Sequence, residues 1–221
     1  RAKAAKVSAK PSCRSRAAMV HVVVSTVSGE DLSVELEAGA QVSQLKAVIA
    51  GQWSVPPELQ LLASTRGLLE DTEALAAHCA EGAHEGAELR VTLVVTLEPV
   101  KQDLAHSSLK RQRLALALLE QLGPRGGKAA VALATAGLSS GNGLVRKAAV
   151  HALASVIPPG DPEIVALLGE RLEDSALVRQ AAVEALGRSG CRGDVEAVEL
   201  LRRCLDDRQE DIRQAAVLAL G

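Results

Sequence analysis

A nine-residue sequence recurs three times in the second half of the chain, as VRKAAVHAL at residues 145–153, VRQAAVEAL at 178–186 and IRQAAVLAL at 212–220. The copies begin 33 and then 34 residues apart. A period of this length is typical of stacked repeats, in which no single unit can bury its apolar face alone. The pattern therefore favours an extended binding surface over an enclosed catalytic pocket.

Each copy has the apolar spacing of one helix face, and a further helix is expected before it. Asp161 and Asp194 are suited to cap two of these preceding helices, and Pro162 suits the first turn of one of them. Residues 128–138 predict the weaker equivalent ahead of the first copy. Residues 109–122 predict a degenerate second helix of an earlier unit, which Gly123 and Pro124 close.

Helix pairs with Val-Arg-x-Ala-Ala-Val-x-Ala-Leu on the second helix resemble HEAT repeats, in particular the short repeats of phycobilisome lyases. The resemblance implies an all-α solenoid and an arginine–aspartate ladder with a structural role. We expect Asp174 to pair with Arg179 and Asp207 with Arg213, while the unit that contains Arg146 has Ser140 and Asn142 instead. An exposed pair of this kind contributes only about 0–1 kcal/mol.

The residues that change between the copies are candidates for contact with partners. On the second helices of a solenoid they are expected to face the inner, concave surface. Variation at ordinary solvent-facing positions would give the same pattern. The six residues are Lys147, His151, Gln180, Glu184, Gln214 and Leu218.

The segment before the repeats predicts a mixed α+β module. Residues 20–24 and 32–37 are rich in β-formers, and Gly29-Glu30 lies in a polar turn between them, which predicts a hairpin. Residues 42–50 have helical apolar spacing, and Gly51 is well placed to end that helix. Val55-Pro56-Pro57 forbids its continuation. Two further strands are predicted at residues 59–64 and 89–97.

This order resembles ubiquitin over about 80 residues. Met19 opens the first strand, LSVELE at 32–37 resembles the second, VSQLKAVI at 42–49 the helix, and VPPELQ at 55–60 the passage to the third strand. LLED at 68–71, followed by Leu75, resembles the turn after the third strand. The resemblance implies a β-grasp fold.

The departures from ubiquitin point to an integral module that is not conjugated. The last strand continues into Leu97 and a long further chain, with no free Gly-Gly end. Lys46 is the only lysine of the module and is expected on the inner side of the helix. The positions of the apolar recognition patch fall near Thr26 or Val27, Ala63 and Thr92, so binding to ordinary ubiquitin receptors is expected to be weak.

Charge is distributed unevenly. Residues 1–18 carry six bases and no acid, residues 19–100 carry a net charge of −9, and residues 101–221 carry +1. Such asymmetry indicates separate modules, and the acidic one suggests a basic partner surface. We expect a basic disordered tail at 1–18, a ubiquitin-like domain at 19–98, a linker and degenerate capping helix at 101–123, and HEAT-like repeats at 124–221 in an array that continues further.

The tail also has the composition of a transit peptide or of an extension upstream of Met19. Cys13, Cys79, Cys191 and Cys204 form no zinc-binding pattern, so we expect reduced thiols and a cytoplasmic or nuclear location. The sequence has no run of apolar residues long enough to span a membrane.

The sequence shows no common nucleotide-binding, serine-hydrolase or zinc-protease motif, and we expect no catalytic residue, metal or cofactor. Some HEAT-type enzymes hold iron on His-Glu pairs, but the one such pair here is His84-Glu85, outside the repeats. The repeats have no aromatic side chain, which argues against nucleic acid and bilins.

We therefore expect a non-enzymatic adaptor that binds proteins and has no evident small-molecule substrate. Two alternatives remain. The chain could be the targeting or scaffold region of a larger enzyme whose catalytic domain lies beyond Gly221, or a HEAT-type bilin lyase.

Overall fold

A computed structural model describes the backbone of Lys6–Ser8 and residues 18–79, 87–158, 161–188 and 194–221. The chain divides into two compact units, Arg1–Thr96 and Leu97–Gly221. Cys13, Cys191 and the His84-Glu85 pair lie outside the described residues.

The first unit is built on a mixed β-sheet. Its central strands run parallel, with Val22 opposite Leu89, and the first of them also forms an antiparallel hairpin in which Val22 lies opposite Val34. The spatial order is β1-β3-β2-β6-β4-β5. The strands are β1 Lys6–Ser8, β2 Met19–Thr26, β3 Asp31–Glu37, β4 Gln60–Ser64, β5 Gly67–Leu68 and β6 Ala87–Val95.

One helix, α1 Val42–Trp53, packs its apolar face against this sheet. Leu45 and Ile49 are fully buried among the valines and leucines of the strands. The prediction that the helix ends at Gly51 is wrong: it continues to Trp53 and ends at Ser54, whose φ is +56°. A glycine in a helix costs only about 1 kcal/mol relative to alanine, whereas Pro56 and Pro57 impose a firm limit.

Two buried polar side chains connect α1 to neighbouring segments. Lys46 is 8% exposed and its Nζ lies 2.6 Å from Asp71 Oδ1. Gln60, the first residue of β4, donates through Nε2 to the carbonyls of Lys46 and Val55 at 3.0 and 2.8 Å. Lys46 therefore lies on the inner side of the helix, as the sequence predicts.

The second unit consists of helix pairs. The first helices of the pairs are α2 Glu98–Ala105, α4 Gly127–Gly137, α6 Pro162–Gly169 and α8 Val195–Cys204. The second helices are α3 Leu109–Leu122, α5 Gly143–Val156, α7 Ala176–Arg188 and α9 Glu210–Leu220. Each second helix packs on its first helix, and successive second helices pack on one another.

The helix ends follow local sequence signals. Asp161 and Asp194 cap α6 and α8, accepting bonds from the backbone N–H groups of Glu163 and Ala197 at 3.0 Å, as predicted. Gly123 ends α3 with a φ of +59°, also as predicted. Residues 101–105 were expected in a linker but lie in α2, which Pro99 helps to start in its first turn.

Within the described residues, none of the helices combines the length and the apolar character that crossing a bilayer requires.

Candidate protein-interaction surface

Two positions of the nine-residue sequence are buried in every copy. The first position, held by Val145, Val178 and Ile212, is at most 1% exposed in every copy. The fifth position, an alanine in each copy, is completely buried. Small side chains at such positions let neighbouring helices approach closely. These letters are therefore explained by the stacking of the second helices.

Helix α3 has the same spacing of buried positions as the later second helices, but not the same residue types. Its buried residues Ala115, Leu116 and Leu119 lie 34 residues before Ala149, Val150 and Leu153 of α5, which are also buried. On this alignment Gln112 takes the place of the arginine, Arg113 the third position and Ala117 the seventh. These positions are not evident from the sequence, because only burial identifies the register.

The arginines at the second position connect neighbouring repeats. Arg146 donates from Nε and Nη2 to the two oxygens of Asp174 at 2.8 and 2.6 Å, and Arg179 does the same to Asp207 at 2.9 and 3.0 Å. Each arginine also donates from Nη1 to a carbonyl before its own helix, that of Ser140 or Asp174, at 2.9 Å. One guanidinium thus holds two successive loops together.

This pairing corrects the expected one, because each aspartate bonds the arginine of the preceding repeat and not that of its own. Arg213, at the second position of α9, donates to the carbonyls of Asp207 and Arg208. Gln112, in the equivalent place on α3, donates to the carbonyls of Leu104 and His106. Gln112 is neutral, which suits this place because the next repeat has Ser140 where later repeats have an aspartate, and so offers no carboxylate to pair with.

The pairs are more buried than the sequence suggested. The side chains of Arg146 and Asp174 are only 19% and 13% exposed. The hydrogen bonds from Arg146 lower the pKa of Asp174 from its ordinary value of 3.8 to about 2. Bonds from Arg179 lower the pKa of Asp207 as well. Bidentate geometry with partial burial makes such pairs stronger than exposed ones.

The residues that differ between the copies lie together on the face formed by the second helices. We call this face the second-helix face. A groove of about 680 Å³ runs across α5, α7 and α9. Gly187 of α7 and Ala219 of α9 line it at the place where these two helices approach each other. It also contains five of the six predicted contact residues, namely His151, Gln180, Glu184, Gln214 and Leu218.

The sixth predicted residue, Lys147, lines a neighbouring groove of about 440 Å³ between α3 and α5, which we call the α3–α5 groove. His151 borders both grooves. Those lining residues that lie on α3 could not be predicted, because α3 lacks the recurring residue types; in all, seven residues that the sequence did not indicate complete the groove. They are Lys110, Arg113, Leu114, Ala117, Glu120, Leu144 and Ala148.

His151 is held as a neutral acceptor at the centre of the face. Arg188 Nη2 lies 2.8 Å from His151 Nδ1, and an arginine can only donate. The proton of the imidazole therefore lies on Nε2. Burial, together with the charges of Arg188 and Lys147, lowers the pKa of His151. Gln180 also donates to Glu184 at 3.0 Å, so these side chains have preset orientations.

A third groove lies away from this face, between α8 and the 3-10 turn Glu170–Glu173. Its polar lining includes the Arg179–Asp207 pair, which already serves the stack. Cys204 also lines it, but its thiol donates to the Leu200 carbonyl, and burial raises the pKa of Cys204. The thiol is thus protonated, and a protonated thiol is a poor nucleophile.

In the part of the chain that the structure describes, no three His, Cys, Asp or Glu side chains lie close enough together to hold a metal ion.

The sheet of the first unit also exposes apolar side chains. Leu61 of β4 and Val94 of β6 lie directly opposite each other and are 41% and 40% exposed. The next pair on the same face of the sheet is Ala63 with Thr92. The resemblance to ubiquitin predicted a patch near Thr26 or Val27, Ala63 and Thr92, and position-by-position correspondence did not indicate Leu61 and Val94.

A comparison with protein families matches HEAT repeats to residues 97–187 and 159–221. The match covers more than half of the chain and the whole helical unit. The chain therefore belongs to the HEAT-repeat family. No curated protein matches it.

Proposed function

We propose that the chain is a non-enzymatic adaptor whose HEAT repeats bind partner proteins through the second-helix face. The observation that carries the proposal is that different positions of the nine-residue sequence have different roles. The first and fifth positions are buried in all three copies, and Arg146 and Arg179 at the second position pair with the next repeat. The third and seventh positions instead line open grooves on one face in every copy. Stacked repeats commonly use such an extended face for protein recognition.

The first unit serves, in this proposal, as an integral ubiquitin-like module with a β-grasp fold. The antiparallel β2–β3 hairpin, the parallel β2–β6 pair and the single helix α1 between β3 and β4 support it. The last strand ends at Val95 and α2 begins at Glu98, so the sheet is not followed by a free terminus that could be conjugated.

The apolar pair Leu61–Val94 and the acidic charge of this module are its means of recognition in the proposal. An exposed cross-strand apolar pair is a suitable contact for a partner side chain, and the net negative charge of the module favours a basic partner surface.

Substitutions on the second-helix face test the adaptor function. Partners captured by the full chain from an extract of the source organism are identified and then titrated, as purified proteins, against Leu218→Asp and Glu184→Arg. We expect both variants to weaken binding of the same partner by about tenfold or more, since each introduces an unpaired charge into a contact surface.

The matched control is Val195→Asp on the first helix α8. Val195 is 82% exposed and Leu218 is 81% exposed, so each change places a carboxylate at an equally exposed aliphatic position, on a first helix in one case and on a second helix in the other. Full affinity in Leu218→Asp and Glu184→Arg would contradict the proposal, and so would equal losses in Val195→Asp.

A further inference from the structure

We propose that the α3–α5 groove binds an acidic peptide segment of a partner protein and accepts one apolar side chain of that segment. The inference rests on the adaptor function proposed above and specifies the chemistry of the partner. Three features of the groove carry it: an exposed apolar lining, unpaired cations on its rim, and a loss of positive charge further along the stack.

The lining of the groove is apolar although it is open to solvent. Leu114 of α3 and Leu144 of α5 are 54% and 47% exposed. Ala117 and Ala148 contribute only methyl groups to the same lining. Ala117 holds the seventh position, where later helices carry His151 and Glu184, and its small side chain leaves the groove open. A volume of about 440 Å³ accommodates one aliphatic side chain with the adjoining backbone.

Three cations border this apolar surface. Lys110 and Arg113 lie in the first two turns of α3, and Lys147 lies in the first two turns of α5. Among the residues that the structure describes, none of the three has a carboxylate within ion-pair distance. The one acid of the lining, Glu120, lies near the other end of α3. The cations are therefore free to pair with the acids of a ligand.

This preference is local to one end of the stack. Along the third position the residues change from Arg113 and Lys147 to the neutral Gln180 and Gln214. The groove across α5, α7 and α9 contains Arg188 but also Glu184 and Asp211. Electrostatic complementarity fixes which part of a surface a charged segment occupies. An acidic segment is therefore directed to the α3–α5 groove.

The same features favour a peptide over nucleic acid. The only aromatic side chain of the chain is Trp53, in the other unit, so the repeats offer no surface on which a base could stack. The apolar lining instead suits the alternation of apolar anchor and flanking charge in a short peptide motif.

The test uses the full chain and three sets of labelled synthetic peptides of about twelve residues, a length typical of groove-binding motifs. In the first set one Leu, Ile or Met is flanked by Asp and Glu. The second set has Gln in place of the acids, and the third has Ser in place of the apolar residue. We expect binding only of the first set, and we expect it to weaken as salt is raised.

Two variants locate the site. Arg113→Glu/Lys147→Glu is expected to weaken binding of the first set by about tenfold or more, because attraction becomes repulsion. The matched control Lys128→Glu reverses an exposed lysine of the first helix α4 and is expected to bind as the wild type does. Circular dichroism checks that both variants fold.

The proposal is overturned if the three peptide sets bind equally, if Lys128→Glu loses as much affinity as the double variant, or if none of the sets binds. Cosedimentation with anionic vesicles that outcompetes the peptides would also overturn it in favour of a lipid surface. None of these outcomes contradicts the adaptor function, provided that Leu218→Asp and Glu184→Arg still weaken partner binding. If those two variants have no effect while the first peptide set binds, the groove assignment holds and the wider face is wrong.

Discussion

At the scale of single residues, the arginine at the second position of the nine-residue sequence bonds both its own repeat and the next one. In Arg146 one nitrogen bonds a carbonyl of its own repeat, and two others bond Asp174 in the next repeat. The sequence predicted Arg146, Asp174, Arg179 and Asp207 as members of this ladder but not their pairing, and Arg213, which was also predicted, bonds backbone carbonyls instead. The nearest acid along the chain belongs to the same repeat, whereas packing of neighbouring second helices places the guanidinium beside the loop of the next one.

The pH dependence of stability tests this ladder. A carboxylate whose pKa is lowered in the folded state stabilises the fold above its unfolded pKa and loses that effect as the pH falls through the folded value. For Asp174 the window runs from 3.8 down to about 2. The shift corresponds to about 2 kcal/mol of unfolding free energy.

We therefore expect Asp174→Asn to be less stable than the wild type above about pH 5 and the difference to shrink towards pH 2. Urea unfolding followed by the helical circular-dichroism signal measures it. The control is Asp206→Asn, because Asp206 is exposed and takes part in no ion pair among the described residues. A constant difference across this pH range, or the same behaviour in the control, would show that Asp174 is not held in a stabilising pair.

At the scale of elements, glycines explain both a success and a failure of the sequence analysis. Gly123 ends α3 as predicted, because it adopts a positive φ and Pro124 follows it. Gly51 lies inside α1, where the chain stays helical and no atom lies within 4 Å of where a Cβ would stand. Composition alone does not separate these cases, since only the backbone conformation and the neighbours differ.

A third glycine sets the distance between two second helices. A Cβ on Gly187 of α7 would lie 2.7 Å from the Cβ and 3.0 Å from the Cα of Ala219 in α9. We expect Gly187→Ala to lower the unfolding free energy by about 1–3 kcal/mol through overpacking, which outweighs a gain of at most about 1 kcal/mol in helix propensity.

The double variant Gly187→Ala/Ala219→Gly restores the missing space and is expected to recover part of the loss. Gly51→Ala is the matched control, and it should keep or slightly raise stability because its methyl group meets no neighbour. Urea unfolding of all four proteins checks these outcomes. A loss in Gly187→Ala that Ala219→Gly does not reduce would exclude helix spacing as its cause.

At the scale of the whole molecule, two units of different charge and architecture share one chain. The division into an acidic β-rich segment and a nearly neutral helical one could be predicted from composition and periodicity. The α3–α5 groove could not be predicted in this way, because α3 shares the buried positions of α5 but not its residue types. The equivalence of Arg113 with Lys147 and of Ala117 with His151 emerges only from the packed helices.

The most direct test of the second-helix face as the binding surface is hydroxyl-radical footprinting of the full chain with and without a purified partner. Leu218 of α9 and Val195 of α8 are aliphatic and almost equally exposed, at 81% and 82%, so each serves as the reference for the other. The adaptor proposal predicts that the partner protects Leu218 from oxidation and leaves Val195 unchanged. Protection of Val195 without protection of Leu218 would contradict it.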